Sequence, residues 1–153
     1  MSGDYVKRLR ARIGHELLLL PSVAVLVRDD SGRLLLVRSS DFAQWQTVGG
    51  AIEVGESPAA AAKREAREEI GVDVVITRLI DCVGGPDFRA TYPNGDEVAY
   101  VSMVYEARIE NGVPRPDMDE VTEIAWFADD EIAKIDIDPF NRTLLTAIGV
   151  LQP

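Results

Sequence analysis

Short apolar segments separated by turn residues run along most of the chain and predict a β-rich domain. Segments 23–27 and 34–37 flank the polar turn 29–32 and are typical of a β-hairpin. A second hairpin is predicted where 88–92 and 98–107 flank Pro93-Asn94-Gly95-Asp96, a strong turn signal. Further strands are predicted at 45–48, 72–76, 79–83 and 123–127.

Helical periodicity and capping residues predict helices between these strands. Residues 4–13 form the first, with Asp4 as a candidate N-cap and Gly14 as the stop. The clearest helix follows Ser57, has Pro at its first position and ends at Gly71. Two shorter helices are predicted to start near 129–130 and at 138–139. Many strands around one long helix predict an α/β fold, a mixed sandwich with a mostly β core.

Composition and charge limit the classes of function. The 153 residues fit a single domain, and 46% of them are hydrophobic. A formal net charge of −10 argues against sequence-independent nucleic-acid binding, which needs a basic surface. A small phosphorylated ligand stays possible, because a bound divalent metal reverses the local field. With Cys82 as the only cysteine and no apolar run long enough to span a bilayer, we expect a cytoplasmic protein that contacts no membrane.

The long helix carries two distinct stripes. At 100° per residue, small and apolar side chains fall on one arc that we expect to pack on a sheet: Ala59, Ala62, Ala66 and Ile70. Glu65, Glu68 and Glu69 form a second stripe beside it. Like charges at these spacings destabilise a bare helix by a few tenths of a kcal/mol per pair. A hard divalent cation would offset that repulsion, whereas the alternative is a solvated, purely structural acidic helix face.

The segment 50–72 resembles the Nudix box, G-x5-E-x7-R-E-U-x-E-E-x-G-U, where U is aliphatic. Every fixed position is filled, and Ala66 is small for its aliphatic slot. The filled positions are Gly50, Glu56, Arg64, Glu65, Glu68, Glu69 and Gly71. The box covers 23 residues, and the β-rich pattern around it is similar to the rest of a Nudix domain. We therefore expect one Nudix hydrolase domain over 1–153, with a helix within 1–14.

The resemblance implies a Nudix-type α/β/α sandwich and the hydrolysis of a nucleoside diphosphate linked to another group, with Mg²⁺ or Mn²⁺. It implies that Glu65, Glu68 and Glu69 are the main metal ligands. Glu56 would be a further ligand or a support, and the Gly50 carbonyl would also reach a metal. Arg64 would orient the glutamates, and Glu68 and Arg64 are counted among the catalytic residues. A non-catalytic nucleotide sensor is the alternative, although all four box glutamates are present.

Three residues outside the box add expectations. A downstream loop can supply the general base in this family, and Glu120 is the first candidate and Glu123 the second; a solvated turn is the alternative for both. Val48 stands where many members have Pro, which restores an N–H and frees φ. We expect a small local change there, with metal binding retained.

Residues outside the box are expected to select the substrate. Aromatic side chains that could stack on a base, or simply pack in the core, are Phe42, Trp45, Phe88, Tyr92 and Tyr100. Arg38 and Arg89 could contact phosphate or lie in solvent. From these we select Arg38, Trp45, Phe42 and Tyr92 as the substrate-binding set. ADP-ribose-type dinucleotides and nucleoside triphosphates both remain open as small-molecule partners, and the family resemblance suggests a homodimer.

Overall fold

A computed structural model describes residues 3–153 of the chain. Its elements are α1 (Asp4–Ile13), β1 (Leu18–Val27), β2 (Leu34–Ser39), β3 (Trp45–Gln46), β4 (Val48–Ala51), α2 (Pro58–Ile70), β5 (Asp73–Val83), β6 (Arg89–Thr91), β7 (Glu97–Asn111), β8 (Val121–Phe127), α3 (Asp129–Ile132) and α4 (Pro139–Ala147). Among the described residues, no helix is both long and apolar enough to cross a membrane. The architecture is a mixed α/β fold with a sheet-rich core, as the sequence predicts.

The strands form two sheets. The larger has the order β4-β1-β7-β5, with β6 also paired to β7, and the smaller has the order β3-β2-β8. Strands β1 and β7 run parallel over the ten pairs from Leu18↔Val98 to Val27↔Ala107. All other pairs of strands are antiparallel. The predicted hairpin around 93–96 is confirmed, because β6 pairs with the start of β7.

The other predicted hairpin is wrong. Strands β1 and β2 belong to different sheets. Among the described residues, one isolated β-bridge, between Arg28 and Leu34, connects the end of β1 to the start of β2. Each strand instead pairs with other partners on both edges: β1 with β4 and β7, and β2 with β3 and β8. The turn at 29–32 does form, through a hydrogen bond from the Gly32 N–H to the Asp29 carbonyl. Long-range pairing therefore overrides a local turn signal.

Three smaller boundary predictions also need correction. Segment 45–48 divides into β3 and β4, which lie in different sheets, whereas 72–76 and 79–83 join into the single strand β5. Register shifts in β5 between Ile76 and Arg78 and between Leu79 and Asp81 account for its broken pattern. Helix α1 is preceded by Gly3 rather than capped by Asp4, which is its first residue.

Alternate residues of the central strands pack on opposite faces, as the two-residue period of a strand requires. On β1, Val23, Val25 and Val27 face a core shared with α2. Ala24 and Leu26 face the opposite core, which includes α3 and α4. The sheets thus lie between α2 on one side and the C-terminal helices on the other. Both cores are fully buried at residues 23–27 of β1 and 34–37 of β2, which explains why these segments are continuous apolar runs.

Helix α2 has the ends that the sequence predicts. The Ser57 side chain accepts a hydrogen bond from the Ala60 N–H, and Gly71 ends the helix in the left-handed conformation. Its apolar buried residues are Ala61, Ala62, Ala66 and Ile70. The predicted packing stripe is corrected at one position, since Ala59 is exposed and Ala61 is buried instead. The packing face is therefore rotated toward the side of the helix that carries Glu65, which is itself buried.

A buried polar network ties α4 to the connection between β3 and β4. Asn141 Oδ1 accepts hydrogen bonds from the N–H and hydroxyl of Thr47, and its amide donates to Asp138. Asp138 also caps α4 by accepting from the Phe140 and Asn141 N–H groups. This network fixes the backbone just before Gly49 and Gly50.

Removing the centre of this network is expected to destabilise the fold. Asn141→Ala leaves two buried donors of Thr47 without an acceptor, at a cost of about 1–3 kcal/mol. We expect the melting temperature to fall by several degrees in thermal unfolding. Thr143→Ala on the same helix removes only a hydroxyl that contacts its own helical turn, and should leave the melting temperature nearly unchanged. Equal effects of the two substitutions would contradict the role given to Asn141.

Candidate active site

Arg64 of α2 lies at the centre of the carboxylate group. Its Nε and Nη2 donate to the two oxygens of Glu56 at 2.9 and 3.0 Å. Its Nη1 donates to Glu65 at 2.8 Å and to Glu68 at 2.9 Å. Nη2 also donates to the carbonyl of Ala51 in β4 at 3.0 Å. One guanidinium thus connects the loop before α2, the helix itself and the adjacent strand.

Glu65 and Glu69 lie where α2 crosses β4. Glu69 accepts a hydrogen bond from the N–H of Gly49 at 3.1 Å. Glu65 is buried against Gly50, where a Cβ on residue 50 would overlap its carboxylate. Gly49 also has no room for a side chain, because a Cβ would overlap the carbonyl of Val23. The two glycines therefore let the helix carboxylates approach the strand backbone.

The pKa values of the box carboxyl groups shift in opposite directions, because hydrogen bonds from Arg64 dominate at Glu56 and burial dominates at Glu65 and Glu69. The hydrogen bonds from Arg64 lower the pKa of Glu56, and those to Glu56 raise the pKa of Arg64. Burial raises the pKa of Glu65 despite its contact with Arg64. Burial, followed by repulsion from Glu65, raises the pKa of Glu69 well above its usual value. Ionising both Glu65 and Glu69 is therefore unfavourable unless positive charge is added.

The donor set suits a hard divalent cation. All the candidate side-chain ligands are carboxylate oxygens, which Mg²⁺ and Mn²⁺ prefer. A cation near Glu65 and Glu69 would relieve the repulsion that raises their pKa. Within residues 3–153, no three His, Cys, Asp or Glu side chains are arranged as a ready-made metal site, and three of these carboxylates contact Arg64 instead.

A cleft runs from this carboxylate cluster along the sheet surface. It consists of two adjoining cavities of about 270 and 420 Å³, which we call the inner cavity and the outer cavity. They share Gly49 and Gly50 as well as the rings of Phe42, Tyr92 and Tyr100. Of the four box glutamates, Glu69 lies at the wall of the outer cavity, so the cluster borders the cleft through this residue. The geometry places a concave, partly aromatic space beside a concentration of negative charge.

The two candidates for the general base differ in position. Glu120 lines the outer cavity with Glu69, and its charge contributes to the raised pKa of Glu69. Glu123 lies on β8 and forms an ion pair with Arg38 at 2.9 Å. It lines neither cavity. This placement favours Glu120, which remains a prediction.

The four selected substrate-binding residues divide into two groups. Phe42 and Tyr92 line both cavities, and their ring centroids are 5.5 Å apart. Arg38 and Trp45 line neither cavity. Trp45 is buried against Phe127, and the guanidinium of Arg38 lies 4.5 Å above its ring. This position favours a packing role for Trp45 and an ion-pairing role for Arg38.

Sequence reasoning did not select several small polar residues that line the inner cavity. They are Ser22, Thr47, Ser102, Asp138 and Asn141, all of them buried. The available signal was a polar residue inside an otherwise apolar strand, as at Ser22 in β1 and Ser102 in β7. Such a residue is noticed only when the register of the two strands is known. The sequence alone does not show that these serines are neighbours.

Val48, which replaces the usual Pro, is completely buried and pairs with Val25 at the start of β4. It packs in the core shared with α2, next to Gly49 and Gly50. The strand that carries these glycines is therefore formed with Val at this position, and the expected small local change with metal binding retained stays a prediction.

Comparisons with known proteins agree on one family. The profile of the NUDIX domain matches residues 18–148. A MutT-like protein of Streptomyces ambofaciens is 30% identical over 132 residues, covering 86% of this chain and 79% of that protein. Nucleoside triphosphatase NudI of Escherichia coli (strain K12 / DH10B) is 26% identical, covering 84% and 96%. The crystal structure of a MutT protein from Methanosarcina mazei Go1 superposes with a TM-score of 0.70 at 21% identity, covering 87% and 94%.

Proposed function

The chain belongs to the NUDIX family and is a Nudix hydrolase, and we propose that it cleaves the diphosphate linkage of a nucleoside diphosphate joined to a further group, in a reaction that depends on Mg²⁺ or Mn²⁺. The proposed domain spans 1–153, and Met1 and Ser2 lie outside the described residues. A small-molecule nucleotide is the proposed partner. Homodimer formation stays a prediction, which light scattering after size-exclusion chromatography tests.

One observation carries this proposal: the carboxylates of the box converge on Arg64 and on the two glycines, at the wall of a cleft. Glu56, Glu65 and Glu68 contact Arg64, and Glu69 contacts Gly49. A solvated acidic face would not bury Glu65 or place a carboxylate against a glycine backbone. The arrangement therefore supports a cation site in preference to a purely structural acidic helix.

Each residue has a proposed role in the reaction. Glu65, Glu68 and Glu69 would hold the cation, with Glu56 and the Gly50 carbonyl as further ligands or supports. The bound cation would neutralise charge on the diphosphate and activate water. Arg64 would fix the orientation of the carboxylates, and Glu120 would accept a proton from the attacking water. Attack at phosphorus would break the bond to the bridging oxygen, which leaves with one of the two products.

The relatives and the cleft together support a proposal for the substrate class. NudI, which is similar to this chain over most of both sequences, is a nucleoside triphosphatase. We therefore propose nucleoside triphosphates as the first class to test, with ADP-ribose-type dinucleotides as the second. The aromatic residues Phe42 and Tyr92 in the cleft suit either class, because both contain a nucleobase.

A hydrolysis screen tests the proposal. Wild-type protein is incubated with nucleoside triphosphates, ADP-ribose, nucleoside diphosphate sugars and dinucleoside polyphosphates, each with Mg²⁺, with Mn²⁺ and with excess EDTA. We expect turnover of at least one substrate with a divalent cation and its loss in EDTA. Nucleotide binding without turnover of any substrate would instead favour the non-catalytic sensor. Absence of cation binding in isothermal titration would contradict both functions.

Glu120 is expected to affect turnover more than cation binding. Glu120→Gln keeps the shape of the side chain but removes its ability to accept a proton. We expect kcat to fall by about 10²–10⁴-fold with little change in the affinity for Mg²⁺ measured by titration. Glu123→Gln is the matched control, because Glu123 pairs with Arg38 outside both cavities. If Glu123→Gln were the more damaging substitution, the assignment of the base would be reversed.

A further inference from the structure

On the sheet face above β1 and β7, Ser22 and Ser102 form an adjacent pair of small polar residues. Leu20 pairs with Tyr100 in the parallel register and Ala24 with Val104; between them Ser22 pairs with Ser102. Leu20 belongs to the cluster that includes Val6 of α1, whereas Ala24 belongs to the core that includes α4. The two serines therefore lie between the regions that α1 and α4 cover. At this point the sheet forms the floor of the inner cavity.

Both serine hydroxyls lack a protein partner. The exposed fraction is 5% for Ser22 and 1% for Ser102, so each is almost completely buried. Within residues 3–153, neither side chain makes a hydrogen bond, and both line the inner cavity. Within residues 3–153, the buried side-chain atom without a hydrogen-bond partner is Arg38 Nε, so the two serine hydroxyls are not enclosed in the packed core but face the cavity. Hydroxyls that line a cavity without a protein partner are available to hydrogen bond to a ligand that enters it.

The inner cavity next to the serines is lined by small residues and by aromatic rings. Gly49 pairs with Ala24 on the neighbouring strand, so the floor around Ser22 carries no bulky side chain. Phe42 and Tyr92 form one wall, and Phe140 lines the cavity from α4. These aromatic walls favour a planar ring, which stacks on them with little dependence on its identity.

The charges around the inner cavity do not suit a phosphate. Arg89 is the cationic side chain in its lining, and it is exposed, while the buried Asp138 carries a carboxyl group. The other polar groups are neutral amides and hydroxyls, which suit a polar but uncharged ligand. Because the inner cavity shares Gly49 and Gly50 with the outer cavity beside Glu69, a ring bound here would remain connected to a diphosphate near the carboxylates.

We propose that the inner cavity holds the nucleobase of the substrate and that Ser22 and Ser102 hydrogen bond to its polar edge. A serine hydroxyl can both donate and accept, so the pair can recognise a base edge that offers donors, acceptors or both. The serines are therefore specificity-determining residues at the floor of the cleft. This assignment rests on the proposed hydrolysis of a nucleotide, but its central test does not require turnover.

The test measures binding of neutral nucleosides without any divalent cation. Adenosine, guanosine, cytidine and uridine are titrated against the wild-type protein by NMR, with ribose as the base-free probe. We expect at least one nucleoside to bind about five- to a hundredfold more tightly than ribose, as stacking of a base predicts. Ser22→Ala and Ser102→Ala should each weaken the preferred nucleoside about two- to tenfold and change the ranking of the bases, with ribose binding unchanged.

Two further variants make the result specific. Ser102→Val fills the floor and should abolish the preference for a nucleoside over ribose. Thr77→Ala removes an exposed hydroxyl on β5, outside both cavities, and should leave every affinity unchanged. Thermal unfolding confirms that each variant is folded. With an active substrate, the serine-to-alanine variants should raise KM with little change in kcat.

Nucleosides that bind no better than ribose would overturn the assignment of the inner cavity to a base. If both serine-to-alanine variants bind the nucleosides with the same affinities and in the same order as the wild-type protein, the role proposed for the hydroxyls is wrong. Neither result depends on hydrolysis, so failure of this assignment is distinct from failure of the proposed reaction. Glu69→Gln provides the converse check, because it should lose turnover and retain nucleoside binding.

Discussion

Glu68→Gln and Glu69→Gln are each expected to lower kcat by about 10²–10³-fold, comparable to the loss of one charge-stabilising group from an active site. Each substitution removes one negative charge from the set that would hold the cation, while the side chain keeps nearly the same shape. In Glu69→Gln the amide oxygen can still accept the hydrogen bond from the Gly49 N–H. Steady-state kinetics with the substrate found in the screen, at saturating Mg²⁺, measures the effect.

The same substitutions should not destabilise the protein without metal. Burial and repulsion from Glu65 raise the pKa of Glu69, so its ionised form is unfavourable in the folded state. A neutral Gln removes this penalty, and the metal-free melting temperature of Glu69→Gln should equal or exceed that of the wild type at neutral pH. Glu68 is largely exposed, so Glu68→Gln should change stability little.

The control for both is Glu110→Gln, which changes an exposed carboxylate at the end of β7. It should leave kcat and the melting temperature at their wild-type values. Loss of activity that accompanies a large fall in melting temperature would indicate a structural role for Glu68 or Glu69. Full activity in both variants would contradict their assignment as metal ligands.

Features encoded by neighbouring residues could be predicted from the sequence. The cap at Ser57, the stop at Gly71 and the arrangement of glutamates along α2 all follow from local spacing, and the structure reproduces them. The turn at 93–96 is similarly local. The close approach of Glu65 to Gly50 could not be predicted from local spacing, because 15 positions of loop and helix separate the two residues. The family resemblance implied only that both would reach the same metal.

Features that depend on the pairing of distant strands could not be predicted. The partner of β1 is β7, about 80 positions later, so the neighbouring hairpin signal at 29–32 was misleading. Ser22 and Ser102 become neighbours only through this register. Trp45 likewise has an aromatic ring that could stack on a base, but its position against Phe127 is set by the pairing of β2 with β3 and β8.

The position of Arg64 explains why the cluster is stable before any cation binds. Arg64 supplies positive charge to Glu65, whose side chain is only 6% exposed, and it also binds Glu56 through two parallel hydrogen bonds. Its bond to the Ala51 carbonyl anchors the same group to the strand. A single residue therefore holds the loop, helix and strand in the positions that the proposed site requires.

Arg64→Met should consequently destabilise the fold and also reduce activity. Glu65 and Glu56 would lose their counter-charge while remaining largely buried, and breaking such a pair costs about 3 kcal/mol. We expect a fall in melting temperature of about 6–12 °C in metal-free protein at neutral pH. Arg67→Met on the same helix is the control, because Arg67 and Asp73 are both exposed and their ion pair contributes less than about 1 kcal/mol.

The deficit of Arg64→Met should depend on pH and on Mg²⁺ in defined directions. Burial already raises the pKa of Glu65, and loss of Arg64 would raise it further. Glu65 would then bind a proton and become neutral, so that no unpaired negative charge is buried. A carboxyl whose pKa is raised by folding stabilises the protein at low pH and loses that contribution as pH rises through the raised value. Thermal unfolding should therefore show a larger loss of stability relative to wild type at pH 8 than at pH 5.

Saturating Mg²⁺ should reduce this loss of stability at pH 8, because a cation bound to the folded state replaces the missing charge. A deficit that is independent of both pH and Mg²⁺ would show that Arg64 acts through packing and not through its charge.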